Sequence, residues 1–361
     1  MDNMNTNMQK PVILREGRYR LKDVGELKRS RSIFLIRDIY DSQLAELFKV
    51  IYPAMRTASD RGEKLLEFME SRRARETYGD WIYFPWSGLL MHTVGEEDFF
   101  TLRTNRNKNL VSEDEQRKLA GFTVGVVGLS IGSGMAIGLA YSGISNAIKI
   151  AEFDSLDTTN LNRLRSGLPW VGLAKLQATT SQVYEINPYA EIVDFPKGLK
   201  KENLGEFFAE PRPRLIFEAI DDFEMKIRIR LAARDAKVPV IMFTNLGDSI
   251  LIDIERYDLD NSLPIFNGLI GNVPEEILSG PISESDKQRY AVSIVGRENV
   301  PPRAMASLLE IGKTLVGRPQ LFGTVTISGG IAPYLARKIA LGEELASGRK
   351  LVKFDEVFVI K

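Results

Sequence analysis

Residues 122–143 read FTVGVVGLSIGSGMAIGLAYSG: an apolar run, a Gly/Ser turn, then a stretch of small residues. A continuous apolar run stopped by Gly128 suits a strand covered on both faces, and the small side chains beyond it let a helix pack tightly on a sheet. Downstream, AIKIAEFD (147–154) supplies a second strand and GLAKLQATTSQVYEINP (172–188) a helix ended by the turn pair Asn187-Pro188. EIVDFPKGL (191–199) and RPRLIFEAIDD (212–222) give a third and a fourth strand. FEMKIRIRLAARDAK (223–237) is a helix and VPVIMFTNL (238–246) a fifth strand. Strand and helix alternating at this spacing predict an α/β fold, a doubly wound, Rossmann-like, mostly parallel sheet with ligands at the carboxyl ends of its strands.

Outside that block the pattern changes. Residues 1–100 carry a strand SIFLIRD (32–38), a helix SQLAELFKVIYPAM (42–55), a charged helix GEKLLEFMESRRARE (62–76) and an aromatic segment GDWIYFPWSGLLMH (79–92). They predict a small separate α+β module, in which Trp81, Tyr83, Phe84 and Trp86 serve packing between domains more readily than binding. Residues 101–361 form the second domain, with its core at 120–255. A C-terminal extension holds helices PRAMASLLEIGKTL (302–315) and GGIAPYLARKIAL (329–341) and a final strand KLVKFDEVFVIK (350–361).

Composition narrows the chemistry. The 361 residues suffice for two domains at about 150 residues each. The 48 basic and 48 acidic side chains cancel, so nothing global recommends nucleic acid or an anionic membrane as partner. No apolar run approaches the roughly 20 residues that span a bilayer, and MDNMNTNMQKPVILREGRYR (1–20) lacks the apolar region of a signal peptide, so a cytoplasmic location is expected. The cysteine count is zero, which removes disulfides, thiolate metal sites and thioester carriage from these residues. The single histidine, His92, reads as an incidental strand or turn residue before it reads as a general base.

Chemistry begins at Gly128. In GLSIGSG (128–134) a Gly/Ser turn between strand and helix lets backbone N–H groups approach a phosphate, with Ser130 where the second glycine of G-x-G-x-x-G would stand and Gly132 and Ser133 opening the helix. Glu152, with Asp154 beside it, ends the second strand, where an acid accepts ribose hydroxyls. Dinucleotide dehydrogenases and ATP-binding proteins both want that acid. The following AEFDSLDTTNLNRLR (151–165) separates them: Asn160 and Arg163 share a face if the segment is helical, and Lys175 begins the next helix. Two cations and an amide at one strand end suit a triphosphate. Asp221 and Asp222 close the fourth strand, where a carboxylate holds a magnesium ion bridging phosphate oxygens.

At this point the sequence resembles the ubiquitin-activating-enzyme-like superfamily, also called ThiF/MoeB/HesA. The resemblance rests on GLSIGS (128–133), FDSLDTTNLNRLRSG (153–167) followed by VGLAKLQ (171–177), EINP (185–188) and EAIDDFEMK (218–226), and covers about residues 100–260. Members bind ATP and Mg2+ and adenylate a carboxylate, usually the C-terminus of a small protein. The resemblance implies that Glu152 stands at the ribose acid, usually aspartate in the family. It puts Asn160 and Arg163 on phosphates, Lys175 on the β- and γ-phosphates, and Asp221 on magnesium near the α-phosphate. LRTNRNKNLVSEDEQRKL (102–119) resembles the arginine-rich segment from which dimeric relatives send an arginine to the partner's nucleotide, so Arg103 or Arg106 is the implied finger and a homodimer the implied assembly.

Relatives that pass their product to a thioester use a cysteine, and this chain has none. Its reaction is therefore expected to stop at the acyl adenylate and to hand that to another nucleophile. Such behaviour resembles the branch that matures ribosomally made peptides of microcin and pantocin type, whose N-terminal module clamps a leader peptide. The expected partner is a peptide or small protein with a reactive carboxylate. Two other classes compete. A NAD- or FAD-dependent oxidoreductase explains the glycine turn and Glu152 and leaves Asn160, Arg163, Lys175 and Asp221 without work. A nucleotide-binding scaffold that has lost catalysis is at odds with the retained basic residues.

Overall fold

A computed structural model describes residues 10–271 and 283–358, which divide into two compact units. Residues 1–9, the start of the stretch read for a signal peptide, and 359–361, the end of the expected last strand, lie outside the described residues.

The smaller unit runs up to Gln116 and also takes in Val183–Tyr189. Its elements are β1 (Val12–Leu14), α1 (Leu21–Ser30), β2 (Leu35–Asp38), α2 (Tyr40–Ile51), α3 (Arg61–Arg73), β3 (Asp80–Phe84), β4 (Leu89–Thr93) and α4 (Glu96–Thr104). The sheet order is β1-β3-β4-β2, with β2 parallel to β4 and the other pairs antiparallel. Helix α2 buries Tyr40, Leu44, Leu47 and Phe48, a spacing that lays one apolar stripe on a core. Of the aromatic cluster, Tyr83 and Phe84 are buried, and Trp86 donates to Glu185 Oε1 at 2.7 Å and stacks on Tyr184. The cluster thus packs within this unit.

The larger unit is formed by Arg117–Gln182 and Ala190–Lys361. After α5 (Glu113–Ala120) come β5 (Val124–Val127), α6 (Gly132–Ser142), β6 (Ala147–Ala151), α7 (Lys175–Ile186), β7 (Glu191–Phe195), α8 (Leu204–Phe208), β8 (Ile216–Glu218), α9 (Phe223–Asp235) and β9 (Val240–Asn245). Then follow β10 (Ser249–Glu255), α10 (Glu284–Val295), α11 (Pro302–Leu308), α12 (Phe322–Leu341), β11 (Gly348–Lys353) and α13 (Phe354–Phe358). The sheet runs β11-β10-β9-β8-β5-β6-β7. Its β5 to β9 strands pair in parallel, and β10 and β11 add an antiparallel edge. Chain order reverses between β5 and β8, where a doubly wound sheet leaves a crevice at its carboxyl edge.

Three details depart from the expected elements. The small residues of α6 meet a second helix as well as the sheet: a Cβ on Gly138 would lie 2.7 Å from Gly329 O in α12. The last strand stops at Lys353 and turns into α13, whose first turn carries Asp355 and Glu356, favourable at a helix N-terminus. Helix α11 ends at Leu308, well short of Leu315. Among the described residues no helix is long and apolar enough to cross a membrane.

Candidate active site

The glycine turn is built by exclusion. Gly128 has φ +87°, and a Cβ there would sit 2.6 Å from Ala219 O, so only glycine lets the β5 end pass the β8 end this closely. Glu152 then locks the turn. Its Oε2 accepts the Leu129 N–H at 2.7 Å, while Oε1 accepts those of Phe153 at 2.8 Å and Asp154 at 3.0 Å. A buried carboxylate with three backbone donors is well satisfied, and it ties the end of β6 to the turn after β5.

From that turn a cleft of about 590 Å³ opens over the β5/β8 reversal. Ser130 and Ile131 face it from the turn, Ala219 to Asp222 from the β8–α9 loop, Phe223 and Glu224 from the start of α9, Asn245 from the end of β9, and Arg318 and Gln320 from the segment before α12. Asp221 is among the most exposed acids there, with 90% of its side chain accessible, and its Oδ1 accepts from the Arg318 guanidinium at 2.6 Å. Asp222 instead caps α9, accepting the Met225 N–H at 2.9 Å. Lys226 also borders the cleft, but its ammonium is paired with fully buried Glu218 at 2.7 Å. Glu218 also receives Arg230, which in turn holds Glu255 at 2.7 Å. Burial alone would raise the Glu218 pKa, but the facing Lys226 and Arg230 charges override it and hold the carboxyl below its ordinary range.

Arg163, expected to meet phosphate, lies on the other flank of the α6 N-terminus. Ser133, Gly134, Arg163 and Arg165 line a second, smaller pocket of about 150 Å³. The Arg163 guanidinium donates to Thr159 O at 3.1 Å and Asn162 Oδ1 at 2.9 Å, its Nε is buried without a partner, and burial lowers its pKa. Asn160 is buried in a single 3-10 turn (Thr158–Asn160) rather than a helix, because its Oδ1 accepts the Asp157 N–H at 3.1 Å and folds the chain back. Lys175 does begin α7, and its ammonium is paired with Asp154 Oδ2 at 2.8 Å. The structure therefore brings Gly128, Ser130 and Glu152 around one turn and joins Ser133 to Arg163, while Gly132 opens α6 and lines neither cavity. It places Arg163 and Asp221 in neighbouring cavities rather than one.

Magnesium fits this donor set in one way. Among the described residues no three His, Cys, Asp or Glu side chains converge as a metal cage. Magnesium needs none where one carboxylate and phosphate oxygens complete its shell. Asp221, exposed on the cleft, meets that requirement. Arg103 and Arg106 lie in the smaller unit, Arg106 exposed in the turn Asn105–Asn107 and Arg103 in α4, where burial pushes its guanidinium down to about 10. His92 is buried in β4 of the same unit, stacked between Tyr40 and Trp81 with its nitrogens on Asp38 Oδ2 and Tyr78 O. It is core material. Arg318 and Gln320 carried no signal in the sequence, since no nearby motif marks them.

Residues 103–247 match the ThiF family. Uncharacterized protein MT1398 of Mycobacterium tuberculosis is 35% identical over 269 residues, 74% of this chain and 37% of that protein. The tRNA threonylcarbamoyladenosine dehydratase of Bacillus subtilis is 27% identical over 157 residues, 43% of this chain and 60% of that enzyme. The chain thus spans between about a third and three fifths of these relatives. Among solved structures, MccB of E. coli with MccA-N7isoASN superposes with a TM-score of 0.49 at 16% identity, covering 88% of this chain and 85% of that one.

Proposed function

From the premise that this chain carries a ThiF-family domain at residues 103–247, we propose that it adenylates a peptide or small-protein carboxylate with ATP and magnesium. One observation carries the reading: the glycine turn, locked by Glu152, opens at the sheet reversal directly onto the exposed Asp221 carboxylate. Phosphate is served by N–H groups at the α6 N-terminus and by Arg163 and Lys175 on its flank. Glu152 presents its remaining acceptor capacity to the ribose, with Asp154 adjacent. Asn160 positions the turn that carries Arg163.

In the reaction a carboxylate oxygen attacks the α-phosphorus, the bond to the β-phosphate oxygen breaks, and pyrophosphate leaves with that electron pair. Arg163 and Lys175 stabilise the charge that builds on the leaving oxygens, and Lys175 exchanges Asp154 for phosphate as it does so. Asp221 would hold magnesium, which would supply positive charge at the phosphate oxygens. These residues include no cysteine, so the acyl adenylate passes to an amine, a sulfur donor or a group of the same peptide. The assembly we propose is a homodimer in the cytoplasm, with Arg103 or Arg106 crossing to the partner's nucleotide and residues 1–100 clamping a leader peptide. The net charge of zero gives no basis for the tRNA in the name of the Bacillus relative.

The test is ATP–pyrophosphate exchange with peptides bearing free carboxylates. Arg163→Ala and Asp221→Ala should each lower exchange by at least about a hundredfold, with folding and peptide binding retained. Near-normal exchange in both variants would sink the site assignment.

A further inference from the structure

The cleft contains a cation that the reading above leaves idle. Arg318 comes from the segment before α12 and faces Ser130 and Ile131 across the same cavity. Among the described residues its ionic partner is Asp221, the carboxylate given above to magnesium. Both side chains are exposed, 50% and 90%, so the pair is weak and readily exchanged. The other cation on this cleft, Lys226, is held by buried Glu218 and leaves it only at the cost of an unpaired buried charge.

The surroundings point to a ligand. Gln320 Oε1, two residues from Arg318, is buried with no partner, as is Asn245 Nδ2 on the same cleft. Such groups are rarely left unmade in a finished site. The segment is also tied to the phosphate side of the site, since Asn162 Nδ2 donates to Gln320 O at 2.9 Å, next to Arg163.

We propose that Arg318 is a second phosphate-binding arginine, stored on Asp221 and released to the triphosphate of ATP when a divalent cation takes that carboxylate. The exchange makes ATP and metal cooperate: without metal, Asp221 both repels the triphosphate and withholds Arg318. A bidentate guanidinium suits phosphate oxygens geometrically as well as by charge.

This inference rests on the nucleotide reading, and calorimetric ATP binding tests the two separately. With magnesium present, Arg318→Gln should weaken ATP binding about tenfold, and Arg318→Lys by less. In EDTA, Asp221→Asn should tighten ATP binding several-fold over the unaltered protein, and the double variant Asp221→Asn/Arg318→Gln should lose that gain. If Asp221→Asn gains equally with and without Arg318, simple charge removal explains it and the exchange is refuted. ATP binding indifferent to Arg318 under both conditions refutes it too and leaves the nucleotide site standing. No ATP binding by any variant overturns both.

Discussion

Glu152 shows how much one side chain determines before any ligand arrives. Its carboxylate gathers three N–H groups from two loops and so presets the phosphate turn. Glu152→Gln keeps the size but removes the charge and turns one acceptor into a donor facing N–H groups. The variant should lose about 1–3 kcal/mol of stability, read from denaturant unfolding, and bind ATP more weakly. An unchanged midpoint would mean that the turn holds without it. Glu152, Lys175 and Asp221 were legible as candidates because each follows a strand or starts a helix inside a recognisable run. The shared helical face expected for Asn160 and Arg163 did not form, since the Asp157–Asn160 hydrogen bond favours a turn over the helix. Arg318 was not legible at all. Its partner stands 97 residues away, and only the folded chain puts them together.

At the level of elements, the parallel strands β5, β6, β8 and β9, unlike the edge strand β7 that begins on exposed Glu191, announced themselves as largely apolar runs because both their faces are covered. β10 did not. It is buried throughout, yet Asp253 and Glu255 interrupt its apolar pattern, and each is neutralised from a distant element: Asp253 by Arg349 and Glu255 by Arg230. The contact of α6 with α12 was hidden for a related reason, since small residues fit a sheet and a helix equally well. Here Gly134 and Gly138 let Gly329 approach within van der Waals range. Gly138→Ala should therefore force the helices apart, because its Cβ would meet Gly329 O at 2.7 Å and Pro333 Cγ at 3.0 Å. The expected cost is about 1–3 kcal/mol. A thermal melt showing stabilisation, as helix propensity alone would give, would contradict this packing.

Across the whole molecule there are two units: a larger α/β unit and a smaller α+β unit whose own core is built on α2 and the hairpin of β3 and β4, with the match to the ThiF family running over residues 103–247. The central claim is chemical: a substrate carboxylate, rather than water, attacks ATP at its α-phosphorus. Peptides whose carboxylates carry heavy oxygen decide this directly. Incubated with the protein and magnesium-ATP, they should deliver one heavy oxygen into AMP, because capture at the acyl carbon expels AMP with the bridging oxygen. AMP formed at the same rate without heavy oxygen would show that water attacks the phosphorus, and carboxylate adenylation would be ruled out.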